Sequence, residues 1–138
     1  MVDHDVVGAL EAVLRGEPAA METIVRTDHQ AIRAAGATIA APLTLTRGAT
    51  SNVLNEMAAG GVSPELAQAW ASFVRRGYVE RSGVDQPISP LAIEFETARE
   101  EAISQAVSRL DEIGDVIDGQ VDRDQVLDLL RNLQPPEP

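Results

Sequence analysis

Carboxylates are the residues of this chain most able to do chemistry. Glu96 and Glu100 stand four apart, the spacing that sets two side chains on one helical face, and Asp111 and Asp115 repeat it. A carboxylate pair performs general acid–base work when a pocket raises the pKa of one member. On an acidic surface the same spacing reads as a solvated helix face, and that reading is preferred. Bundles that hold two iron ions use Glu-x-x-His on paired helices, a motif absent from the sequence. Each of the two histidines adjoins an aspartate, His4 in "DHD" and His29 in "TDH". Adjacent helical residues point to different faces, so neither pair chelates by itself. His29 stands four residues before Arg33 and seven after Glu22, on one helical face, which suits an exposed polar contact. A metal held by His4 and His29 would need further ligands, and no metal or other cofactor is expected.

A louder hint of a cofactor lies in "GDVIDGQVDRDQ", which resembles a calcium loop of the EF-hand type. With Gly119 at the sixth position, Asp118 falls at the fifth and Asp122 at the ninth. The first and third positions are then Gly114 and Val116, and the twelfth is Gln125. Two side-chain ligands and the bidentate carboxylate are missing, and a neutral amide does not supply that charge. The expected structure is a corner between helices: "DG" turns the chain, Asp122 caps the next helix and Gln125 completes a capping box. Nucleophile elbows, phosphate-binding loops and dinucleotide fingerprints are also absent. No catalytic residue is assigned.

The 138 residues, 44% of them hydrophobic, suffice for one domain without a staple. Cysteine is absent, which removes disulfides and thiolate chemistry. Lysine is absent too, every cation being Arg, a bias that fits a GC-rich bacterial genome. "MVDHDVV" is acidic where a secretory signal would be basic, and "AAGATIAAPLTL" is too short to span a bilayer. A cytoplasmic protein without membrane association is expected. The net charge is −11, and it is unevenly placed. From Glu94 onward twelve acids face four arginines, so that segment carries −8. Such a field repels nucleic acid and attracts basic proteins.

Apolar periodicity then positions these charges. Val6, Val7, Leu10, Val13 and Leu14 mark a first helix ended by Gly16. Pro18 opens a second that runs towards Ala40, with Gly36 as a point of kinking or close approach. "LTLTRG" and "LAIEFE" read as extended, though a lone strand lacks a partner. Val53, Leu54 and Met57 mark a short third helix before Gly60–Gly61. The fourth has full punctuation: Ser63 cap, Pro64 at the first position, Glu65 at the positive end, Arg75 and Arg76 at the negative end, Gly77 as stop. Leu66, Trp70, Phe73 and Val74 are its expected buried stripe. A long helix from Thr97 to Ile117 and a last helix to Leu133 follow, the latter burying Val126, Leu127, Leu129 and Leu130. The expectation is an all-α, single-domain bundle of about six helices over 1–133, with two short extended segments and a disordered tail at 134–138.

Within this bundle "GVSPELAQAWASFV" resembles the turn and second helix of a DNA-binding helix-turn-helix. It departs from that pattern in the extra Gly60 and in bulky Met57, and its leading exposed residues would be Glu65, Gln68 and Ser72. The resemblance implies a regulator centred on 63–76. A third reading is a small-ligand or enzymatic pocket beside Trp70 and Tyr78. Charge favours neither. The preferred expectation is an acidic interaction module, of the kind that inhibits a toxic or nucleic-acid-handling enzyme by filling its cationic groove. Glu100, Glu101, Asp111, Asp115, Asp118 and Asp122 are its candidate contacts, and spare apolar surface on the long helix could make a homodimer.

Overall fold

A computed structural model of the chain describes residues 4–39, 43–79, 90–112 and 123–133. Among them are seven α-helices and one two-stranded parallel sheet, a helical bundle with short extended segments as the periodicity predicts. The first helix, α1 (His4–Leu14), ends as expected at Gly16, whose φ of 82° suits a residue without a side chain. A Cβ there would collide with the Ala49 carbonyl. The end of α1 is therefore docked directly on a later helix, where Asn52 Nδ2 also donates to the Arg15 carbonyl at 3.0 Å.

The span expected as one helix from Pro18 towards Ala40 is broken. Pro18–Ala20 forms a 3-10 turn, α2 covers Met21–Ile24, and α3 covers His29–Thr38. Two side chains make the break. Thr27 Oγ1 donates to the Thr23 carbonyl at 2.7 Å, and the extended Asp28 accepts the Ala31 N–H at 2.9 Å. Short polar groups thus replace ladder partners at the end of one helix and the start of the next. The interruption separates Glu22 from His29, so the face they were expected to share does not exist.

The two extended segments are each other's partner. Thr44–Leu45 (β1) pairs in parallel with Glu94–Phe95 (β2), Thr44 opposite Glu94 and Leu45 opposite Phe95. Parallel strands need a crossover, and here it contains α4 (Arg47–Ala58) and α5 (Pro64–Arg76). Leu43 and Leu45 are buried while Glu94 is exposed, so one face of the sheet meets the core and the other meets solvent.

The helix α4 starts well before Val53 because both ends of its first turn are satisfied. Thr46 Oγ1 accepts the Ala49 N–H at 3.1 Å, and Glu96 Oε1 accepts the Arg47 N–H at 2.8 Å. Helix α5 obeys its sequence punctuation: Ser63 Oγ accepts the Leu66 N–H at 3.2 Å, and Gly77 closes it at φ 82°. Its stripe is Ala67, Trp70, Ala71, Phe73 and Val74, with Leu66 only half-buried. A 3-10 turn at Thr97–Arg99 then leads into α6 (Glu100–Asp111), and the expected continuation to Ile117 lies outside the described residues. In α7 (Arg123–Leu133) Val126, Leu130 and Leu133 are buried. Leu127, expected inside, is 40% exposed, because the buried row runs at spacings of four and three from Val126. Helix α5 packs on α6, α4 on α7 and α1 on α3, closing the core around Trp70, Phe73 and Leu54.

Candidate partner-binding surface

Glu100 and Glu101 occupy the first turn of α6, where the positive end of the helix dipole favours carboxylates. Both are exposed, and neither has a hydrogen-bonded or ionic partner among the described residues. They border a polar surface hollow that also includes Thr97, Arg99, Ser104 and Gln105. Glu94, exposed on β2, lies just before them in the chain and was missed at the sequence level. Its signal was the alternation itself: with Ile93 and Phe95 facing inward, Glu94 has to face outward.

Asp111 departs from expectation. Its carboxylate is 7% exposed, and its Oδ2 accepts from Arg75 Nη1 at 2.8 Å and from Arg76 Nη1 at 2.7 Å. The side chain clamps α6 to α5 and is not available to a partner. Burial beside two cations explains the difference, since a paired inward carboxylate avoids the cost of an isolated one. Asp115, Asp118 and Asp122 lie outside the described residues, as does most of the loop that resembled a calcium site.

Glu96 and Glu100 do not form the carboxylate pair their spacing allows, and the other pair lies partly outside the described residues, at Asp115. Glu96 precedes the 3-10 turn and spends its carboxylate on the first N–H of α4, so it does not share a helical face with Glu100. Among the described residues no group of three or more His, Asp and Glu side chains is placed to hold a metal ion.

The face that would lead α5 into a DNA groove is largely committed elsewhere. Gln68 Nε2 donates to the Asp111 carbonyl at 3.1 Å, Ser72 accepts from Arg76 at 2.9 Å, and both arginines of the last turn hold Asp111. Arg75 and Arg76, cations that would have met phosphates, share the Asp111 carboxylate within the bundle. Trp70 is fully buried, as the stripe of α5 predicts and the pocket reading does not, and its indole N–H donates to the Val13 carbonyl at 2.9 Å. Val13 sits in the last turn of α1, where its carbonyl also accepts the Gly16 N–H at 3.1 Å, so Trp70 works as a core anchor. Tyr78 is half-buried just beyond α5.

No family model matches this chain, and neither the curated proteins nor the solved structures include one similar to it. No described helix is long and apolar enough to cross a membrane.

Proposed function

We propose that this protein is an acidic interaction module that docks on a basic surface of a protein partner, in the manner of an inhibitor occupying a cationic groove. The observation that carries the reading is the pair of exposed, unpaired carboxylates of Glu100 and Glu101, in a segment that holds −8 of the net −11 charge. Their negative field would steer a cationic partner and set register on contact, with desolvated pairs giving specificity. Asp111 belongs to the scaffold of this surface rather than to the surface itself.

The double variant E100R/E101R reverses four charge units on exposed side chains and should leave folding intact, because neither side chain is packed. Pull-down from lysate of a GC-rich bacterium should retain one stoichiometric basic protein on the wild-type chain, releasing it at moderate salt. The double variant should retain little of it. Equal retention by both chains, or recovery of specific DNA in place of protein, would make this reading wrong.

A further inference from the structure

Among the described residues, strand β2 has one satisfied side and one open side. In a parallel ladder, alternate residues of a strand direct their N–H and C=O groups to opposite sides. Glu94 and Glu96 donate towards β1, to the carbonyls of Leu43 and Leu45 at 2.8 and 2.9 Å. Phe95, between them, therefore directs its N–H and C=O away from β1, and no backbone partner meets either group among the described residues. A two-stranded sheet is the smallest that exists and a marginal one by itself. Its open edge is a template for another strand. A charge near an edge can simply keep strands away, and Glu94 would serve that purpose against acidic or neutral chains. Against a cationic chain it does the opposite.

The surroundings specify the occupant. Residues 90–101 contain four glutamates, of which Glu96 is engaged at the start of α4, and one arginine. Glu94 stands on the solvent face of the strand, and the polar hollow bordered by Glu100 and Glu101 opens where the strand gives way to the turn before α6. Backbone pairing supplies affinity without sequence preference, and the flanking carboxylates supply preference for Lys and Arg. We propose that β2 takes up an extended, Lys- or Arg-bearing segment of the partner protein as a third strand, its cations directed to Glu94, Glu100 and Glu101. This deepens the acidic-module reading and rests on it, adding the shape of the ligand to its charge.

Two fluorescein-labelled peptides separate shape from charge: an alternating Lys-Val octapeptide, and the same octapeptide with every amide N-methylated, which keeps the charge and removes the strand donors from both edges. Titrated against the full chain at low salt and followed by anisotropy, the methylated peptide should bind roughly fivefold more weakly or worse, as expected for losing the backbone hydrogen bond to the Phe95 carbonyl. Hydrogen exchange at the Phe95 amide should slow when the unmethylated peptide binds. Equal affinity of the two peptides, with no added protection at Phe95, overturns strand addition while the acidic-module reading stands. Failure of both to bind at low salt overturns the two together.

Discussion

Asp111, a candidate surface contact, and Trp70, a member of the expected buried stripe that one reading also sets beside a pocket, are both joints between elements. As the single tryptophan, Trp70 reports directly on this. With its ring sealed in the core and its N–H bonded to Val13, its emission should be blue-shifted, resist quenching by iodide, and move to the red only with global unfolding. Ready quenching in the native state would contradict the burial and revive a pocket at that ring. Asp111 should matter to stability and not to binding. The D111N variant keeps the main-chain carbonyl that accepts from Gln68 but loses the charge held by Arg75 and Arg76. We expect a loss of about 1–2 kcal/mol in urea unfolding, smaller at high salt because both guanidinium groups are partly solvated. Basic-peptide affinity should be unchanged. A variant with full stability and weakened binding would return Asp111 to the contact surface.

At the scale of elements, termination signals decided the architecture more than apolar periodicity did. The break between α2 and α3 rests on Thr27 and Asp28, and Asp28→Ala should cost about 1 kcal/mol, the usual value of an N-cap. Far-ultraviolet circular dichroism should show little loss of helix at low denaturant, with the unfolding midpoint shifted downward. An unmoved midpoint would mean that packing of Ile32 and Ala35, not the cap, sets where α3 begins. Gly77 does two things at the end of α5. Its φ of 82° closes the helix, and its carbonyl accepts the Leu91 N–H at 2.9 Å, leaving no room for a Cβ beside the Leu91 backbone. Gly77→Ala combines left-handed strain with that collision, so a loss of more than about 1 kcal/mol is expected from the same measurement. A neutral result there would show that the segment leading to β2 can move aside.

Over the whole molecule the consequence of composition is electrostatic. A chain of net charge −11 with eleven arginines and no lysine associates fastest at low salt with cationic surfaces. Association of the wild type with a basic partner should slow steeply as ionic strength rises through about 0.15 M, where the screening length is about 8 Å. The E100R/E101R chain should show a flatter dependence. Identical salt dependence for the two would place the steering charge elsewhere on the molecule. The same fold supplies the rigid mounting for that charge: α6 is clamped to α5 through Asp111, and Glu94 and Glu96 reach β1 and α4 through hydrogen bonds.

The sequence by itself determined what depends on neighbours within a few residues. The helices α1 and α5, the Ser63 cap, the Gly16 and Gly77 exits and the outward placement of Glu100 and Glu101 all follow from local propensity, capping and dipole rules that act over one helical turn. Tertiary structure decided what depends on distant partners. The pairing of β1 with β2, the use of Glu96 to cap α4, the inward turn of Asp111 and the bond from Trp70 to Val13 join residues 35 to 57 positions apart. Nothing in the spacing of a carboxylate says whether solvent or an arginine from another helix will meet it. Only the packed chain, which makes isolated buried charge costly and orphaned main-chain groups rare, settles which acids become structure and which remain free to bind.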